Sequence, residues 1–392
     1  MLLLAPGFLY LGAFFDLVLS LLNETLYTVS MPDASHGNYL EIGTLQQKLA
    51  TAKLPPDLLE KANLMITRAQ TAIQFGGYFS GIDQTNSYVD VITNYPWFNR
   101  SPDTIDIAKA SEILDKNHFG LKEIKERILE YISVLKLSKA YTAEAMKSNE
   151  PTLHAPVLLL MGLAGTGKTT LAYSMAEALG REIIRIPFGG LGSAKELRGQ
   201  SRAFPDAEPS LLVKGILRAK TKNPLILLDE IDRVTNDARA EIMGVLIELL
   251  DPIQNGAFAE HYIDYPLDLS EVLFIATSNK AEFIAQAVLD RFEQITMPLY
   301  NDVEKNVIAK TYLLPKIIKA SGLTPDQVII LEATWPHIIR PAGYDAGMRT
   351  LERTITSICR KIALYTVEGK GSTYTITPEN LKSFLHTDIN IY

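Results

Sequence analysis

The densest chemistry in the 392-residue chain lies in eight residues, "GLAGTGKT", numbered 162–169. They fit GxxxxGK followed by Ser or Thr, after an apolar run, "VLLLM", and before a helical pattern that reaches Leu179. A loop in that context wraps phosphate. Gly162, Gly165 and Gly167 let backbone N–H groups close around oxygens, with Leu163, Ala164, Thr166 and Thr170 completing the cradle. Lys168 is expected to reach β- and γ-phosphates, and Thr169 to hold Mg²⁺ through its hydroxyl. A chance Gly-rich turn would not bring strand, loop and helix in this order.

Further along, "LILLDE" (225–230) ends an apolar run with two carboxylates. Ligands sit at the carboxyl ends of parallel strands, so both should face the same phosphates. Asp229 is the candidate Mg²⁺ partner, and Glu230 the candidate group to orient or deprotonate an attacking water. An acidic pair after a strand is by itself an ordinary solvated loop; the phosphate loop before it gives it weight. "FIATSN" repeats the geometry and offers Asn279 to the water or the γ-phosphate, against the reading of a turn-forming Asn. "LDRFEQI" places Arg291 just before another strand, either pairing locally with Glu293 or serving a neighbouring subunit. "AGMRTLERTI" puts Arg349 at the start of a helix, either at the site or in a surface pair with Glu352 or Asp345.

Those residues need a sheet to hold them. From Pro156 on, "VLLLM", "IIRIP", "LILL", "VLFIAT" and "QITMP" alternate with helical segments, including one near 211–220 and one near 238–250. Strands alternating with helices imply a parallel α/β sheet covered on both faces. After Tyr300 the strands fade, and helices are expected near 303–320, 324–340 and 346–366. The last carries Met348, Leu351, Ile355, Ile358 and Ile362 on one stripe. Before the sheet, residues 44–73 read as helices broken at Pro55 and Pro56, while 23–47 show turn residues without a clear period. A short helix ends at Pro96, where Trp97 can anchor the following loop, and 121–140 is a strongly amphipathic helix.

Hydrophobic and charged contents of 47% and 21% are globular rather than disordered values. A net charge of −7 argues against a protein whose main task is to grip nucleic acid. The single cysteine, Cys359, rules out an intramolecular disulfide, and the histidines show no metal-ligand spacing. Residues 2–22 are almost wholly apolar, long enough to span a bilayer. Yet no Lys or Arg occurs before Lys48, and Asp16 would cost about 2.5–3.5 kcal/mol at the centre of a bilayer. A helix buried against protein and a membrane anchor both stay open. The expectation is a cytoplasmic protein, with or without membrane contact.

The order of these motifs resembles the ATPase module of Lon, an AAA+ protease family. "ILDKNHFGLKEIKERILEY", "GREIIRIPFGGLGSAKELRG", "KNPLILLDEIDRV" and "LLDPIQNGAFAEHYIDYPLDLSEVLFIATSN" follow in family order. "IAKTYLLPKIIKASGL" and "AGMRTLERTITSICRKIA" resemble the family's small lid, and "YVDVITNYPW" the end of its N-terminal helical region. The resemblance spans about 50–385. The expected organisation is an apolar segment at 1–22, standing in place of Lon's globular N-terminal substrate domain, an N-terminal helical region at 23–110, a large AAA+ domain at 111–300 and a helical lid at 301–392. The resemblance further implies a homo-hexameric ring with ATP and Mg²⁺ at subunit interfaces. Lys168 and Thr169 become the Walker A pair, Asp229 and Glu230 the Walker B pair, and Asn279 sensor 1. Arg291 becomes the arginine finger and Arg349 sensor 2, with His118, Phe119 and Gly120 lining the adenine end.

Lon continues into a Ser–Lys peptidase domain, for which no room is visible after "ITPENLKSFLHTDINIY". The expectation is therefore an ATP-driven motor that remodels, unfolds or translocates protein substrates without its own peptidase. A subunit of a two-component protease, with the peptidase on a separate chain, is the main alternative. A DNA-handling ATPase is disfavoured by the charge, and a catalytically dead scaffold by the intact set of hydrolysis residues. "QSRAFPDAEPS" (200–210) falls where Lon has its first pore loop. Phe204 keeps the family's aromatic, Pro205 takes the aliphatic position, and Asp206 replaces a glycine.

Overall fold

The computed structural model describes residues 34–76, 81–145, 156–340 and 347–385. The apolar run at 2–22 lies outside them, and no helix among the described residues is long and apolar enough to cross a membrane. The chain divides into two compact units, one ending at Asn94 and one starting at Tyr95.

The first unit is a packing of three helices, α1 (Ala34–Thr51), α2 (Pro56–Gly76) and α3 (Ile82–Asn94). Helix α1 starts ten residues before the helical signal at Thr44 and overturns the irregular reading of 23–47 over that stretch. Among its described side chains Ile42, Leu45 and Leu49 are buried at helical spacing, but only Ile42 of these precedes Thr44, too little to show a period there in sequence. Pro56 opens α2, where a missing N–H costs nothing. Leu58, Ala62, Ile66, Ala69 and Ile73 follow at helical spacing and are buried.

The second unit is built on five parallel strands, β1 (Val157–Met161), β2 (Ile183–Pro187), β3 (Leu225–Asp229), β6 (Leu273–Ser278) and β7 (Phe292–Thr296). Their spatial order is β2-β3-β6-β1-β7. Strand β1 lies between β6 and β7, with Leu159 opposite both Ala276 and Gln294. The chain leaves β1 for the far edge and later returns past it to β7, so the order reverses at β1. Ligands of such sheets bind at that crevice. Strand β7 begins two residues before the expected "QITMP", and Met297 beyond it still donates its N–H to Met161 O at 2.6 Å.

Leu158, Leu160, Leu225, Leu227 and Ile275 share one core with α4 (Ile107–Asn117), α5 (Lys122–Ala145) and α6 (Lys168–Leu179). Residues between them on each strand alternate to the opposite face and are equally buried, so both faces are covered as expected. Helices α7 (Lys195–Arg198), α8 (Leu211–Ala219) and α9 (Arg239–Leu250) follow β2 and β3. A hairpin of β4 (Phe258–Glu260) and β5 (Tyr265–Leu267) precedes β6. Trp97 stacks between Tyr95 and Tyr265, with centroids at 4.5 and 5.7 Å, and so anchors its loop as anticipated.

The remaining helices are α10 (Gln286–Leu289), α11 (Asp302–Ile308), α12 (Leu314–Ala320), α13 (Trp335–Ile339) and α14 (Arg349–Val367). A π-turn over Ala309–Leu313 joins α11 to α12. The helix expected over 324–340 is not one element. It breaks into turns, strand β8 (Val328–Ile330) and α13, and β8 pairs in parallel with β9 (Tyr374–Ile376). Pro325 and Pro336 interrupt helical pairing, and the β-branched run between them suits a strand. Strands therefore persist after Tyr300. The α14 stripe stands: Leu351, Ile355, Ile358 and Ile362 are fully buried. Cys359 packs with them as a small apolar residue, and burial pushes its thiol up to about 11.

Candidate functional site

The loop after β1 is held by backbone that a side chain would strain. Gly162, Gly165 and Gly167 have φ of 154°, 80° and 93°. A Cβ on Gly162 would lie 2.9 Å from Met297 Cβ, and one on Gly165 would meet Arg349 N at 3.1 Å. Helix α6 starts at Lys168 with Gly167 as its cap and no side chain satisfying the first N–H groups. Those donors and the helix dipole together make an anion cradle. Lys168 Nζ donates to Gly162 O at 2.6 Å, Leu163 O at 2.9 Å and Asn279 Oδ1 at 3.0 Å. Burial pulls its pKa down, while the carboxylates of Asp232, Glu230 and Asp229 oppose that shift.

Asp229, at the end of β3, is buried. Its Oδ1 accepts from Thr277 Oγ1 at 2.5 Å and Thr169 Oγ1 at 3.3 Å, and its Oδ2 is paired with Arg185. Glu230 follows in left-handed backbone, φ 58°, a cost that clusters at functional sites. Its N–H is held by Thr277 Oγ1 at 2.8 Å, and its carboxylate lies 3.2 Å from Arg233. Asn279 sits beyond β6, its backbone N–H bonded to Asp232. Its Nδ2 is buried without a hydrogen-bond partner.

Lys168, Asp229, Glu230 and Asn279 line one cleft of about 550 Å³, together with His118, Phe119, Ala164, Gly165, Gly167, Thr169, Thr170 and Arg349. Met348 N–H donates to Gly165 O at 2.9 Å, so the start of α14 is pinned to the loop. A Cβ on Gly347 would meet Ala164 O at 2.2 Å, which explains the glycine there. Among the described residues Arg349 forms no ion pair with Glu352, which also lines the cleft; Asp345 is outside the described residues. Gly162, Leu163 and Thr166 support the loop rather than line the cleft, Thr166 Oγ1 donating to Leu163 O at 2.9 Å. Gly120 provides a turn at φ 64° beside His118 and Phe119.

Arg291 and the Phe204–Pro205 pair lie outside the cleft. Arg291 pairs with Asp251 at 3.0 Å, not with Glu293, which Arg127 takes at 2.7 Å. Phe204 is about half exposed. Sequence reasoning passed over Tyr173, Tyr300, Tyr312, Lys116 and Lys316, which line the cleft. It also missed Arg185, Thr277 and Asp232. Arg185 alone had a legible signal, as a charged residue inside the apolar run "IIRIP".

His118 is buried, with Nε2 2.9 Å from Ser174 Oγ. Burial, and then the charge on Lys125, pushes its pKa down to about 4 from 6.5. The folded protein keeps this ring neutral while the unfolded chain protonates it. Its contribution to stability is thus present above pH 6.5 and lost as pH falls through 4, up to roughly 3 kcal/mol. Replacing His118 by Asn should flatten the fall in melting temperature between pH 6.5 and 4. An unchanged pH profile would show that the ring is not held neutral.

The residues fit a phosphate chain with a divalent cation. The glycine cradle excludes side chains, Thr169 and Asp229 place two oxygens side by side, and Asn279 holds an unsatisfied donor. Among the described residues no cluster of three or more His, Cys, Asp or Glu could hold a metal alone. A Mg²⁺ here would need phosphate oxygens to complete its shell.

The family model for the ATPase family associated with various cellular activities (AAA) matches residues 158–298. The Lon protease AAA+ ATPase lid domain matches residues 319–375. The Lon protease of Lawsonia intracellularis is 40% identical over 345 residues, covering 88% of this chain and 40% of that protein. Lon protease 2 of Thermus thermophilus is 37% identical over 345 residues, covering 88% of this chain and 42% of its own length. The Lon protease of Heliobacterium modesticaldum is 40% identical over 341 residues, with 87% and 40% covered. The chain thus spans about two fifths of the length of these curated relatives.

Proposed function

Because the chain belongs to the AAA ATPase family and carries a lid of the Lon type, we propose that it is a motor that hydrolyses ATP, with Mg²⁺, to pull on protein chains. The observation that carries this reading is the convergence of Lys168, Thr169, Asp229, Glu230 and Asn279 on one cleft beneath a helix that begins at Arg349. Residues 111–300 then act as the large ATPase domain and 301–392 as its lid.

Lys168 exchanges its loop carbonyls for β- and γ-phosphate oxygens. Thr169 and Asp229 would hold Mg²⁺, which when bound neutralises charge on the phosphates. Glu230 takes the proton of the attacking water. Asn279 Nδ2 donates to that water or to the γ-phosphate, and Arg349 reaches the phosphates from the lid side. His118, Phe119 and Gly120 face the base. Steady-state ATP turnover of the purified chain tests the reading. Turnover should require Mg²⁺ and rise when an unfolded polypeptide is added; no turnover under any of these conditions would remove it.

Arg291 lies outside its own cleft and is 40% exposed, which supports a role toward a neighbour if six subunits form a ring. Arg291→Ala should abolish turnover while leaving ATP bound. Mixed rings containing unaltered subunits should keep partial activity. Rings mixed from Arg291→Ala and Glu230→Gln subunits, each inactive alone, should regain partial turnover if the arginine acts on a neighbour's cleft; no recovery would place Arg291 in cis.

A second reading is favoured by the relatives, which are named proteases and are more than twice as long as the matched region. On it, the motor feeds a peptidase. ATP-dependent cleavage in the presence of a co-purifying partner would support that arrangement, and unfolding without cleavage would oppose it.

A further inference from the structure

We propose that Arg185 is a positioning residue for the divalent cation: it turns the Asp229 carboxylate so that Oδ1 faces Thr169 and the ion. The inference rests on the nucleotide reading above. Arg185 stands on β2, an edge strand paired in register with β3, where Arg185 lies opposite Leu227 and Pro187 opposite Asp229. From there the guanidinium reaches along one strand to the carboxylate. Nε donates to Oδ2 at 2.7 Å, and Nη2 lies 2.6 Å from the same oxygen in the ion pair. The other oxygen belongs to the cleft, accepting from Thr277 at 2.5 Å and from Thr169 at 3.3 Å.

The two oxygens are therefore unequal. A carboxylate free to turn about its last bond would also sample orientations that present neither oxygen squarely to the metal. Arg185 removes that freedom from outside while the threonines hold the inner oxygen. It also supplies the counter-charge that a carboxylate with 4% side-chain exposure requires.

Two effects on the ion oppose each other. The positive guanidinium repels a divalent cation, and the fixed carboxylate attracts it. The Arg185 side chain is 51% exposed, so water screens its charge strongly. The hydrogen bond from Nε to Oδ2 acts directly on the ligand and is not weakened in that way. Partners that orient a metal ligand typically alter metal affinity by about 10–100-fold when removed. Orientation should win.

The test uses the whole chain with Arg185→Ala and Arg185→Lys. A fluorescent ADP analogue is titrated first in EDTA and then against increasing Mg²⁺. In EDTA all forms should bind within about twofold of one another, since Arg185 acts on the ion and not on the phosphates. The Mg²⁺ concentration that tightens binding should rise about tenfold in Arg185→Ala and about threefold in Arg185→Lys, which keeps the charge but loses the rigid guanidinium donor. Should the alanine variant fail to melt cooperatively, the lysine variant alone carries the test with its smaller rise. An unchanged or lowered Mg²⁺ requirement overturns the proposal and makes Arg185 a counter-ion only. Failure of the unaltered chain to bind the analogue at all overturns the nucleotide reading instead, and this inference with it.

Discussion

Glu230→Gln is expected to leave ATP bound and to cut turnover by about 10²–10⁴-fold, the span that a positioned general base supplies. Gln has nearly the same shape, so the strained backbone at φ 58° and the N–H bond to Thr277 should persist. The ion pair with Arg233 would be reduced to a neutral hydrogen bond, an exchange worth little at a partly exposed site. What disappears is the ability to accept a proton from water. Binding of a fluorescent ATP analogue and steady-state phosphate release separate the two effects. Turnover within threefold of the unaltered chain would take Glu230 out of the mechanism and leave Asp232 as the nearby carboxylate to examine.

Phe204→Ala should hold basal ATP turnover within about twofold and reduce processing of a protein substrate by about 10–100-fold, the worth of burying one large apolar side chain. The loop that carries it is short and tied. Gln200 N–H donates to Glu208 O at 3.0 Å, Phe204 N–H to Ser201 O at 3.1 Å, and Ala207 N–H to Phe204 O at 3.2 Å. Lys195 Nζ sits 6.0 Å from the ring centroid, a cation over an aromatic face. An aromatic held half exposed on a braced loop suits contact with a passing chain, because apolar grip needs little sequence specificity. Pro205 limits the freedom of this loop and Asp206 adds a negative charge to it. If processing survived the substitution, Phe204 would be a packing residue between subunits.

Much of this architecture is legible in the chain because its signals are local. The phosphate loop is one contiguous segment, the strands are apolar runs bounded by turns, and the α14 stripe repeats at helical spacing. What escaped depends on partners far away in sequence. Strands β8 and β9 have three residues each, and they pair across the intervening α13 and α14. Arg185 and Thr277 reach Asp229 across 44 and 48 residues, a relation that no local pattern encodes. Tyr300 and Tyr312 look in sequence like core aromatics of the small domain, and only folding turns them toward the cleft. Arg291 shows the converse error of trusting proximity: Glu293 stands two residues away, yet Asp251 takes the ion pair.

The central claim is that ATP hydrolysis in this cleft drives the unfolding of protein chains. It is tested most directly by mixing the purified chain with Mg²⁺, ATP and a folded fluorescent protein bearing an unstructured tag. The account predicts that native fluorescence falls with ATP, is preserved with a non-hydrolysable analogue, and is preserved with Glu230→Gln. Steady ATP turnover with native fluorescence unchanged, together with salt-sensitive stimulation of that turnover by DNA, would contradict it.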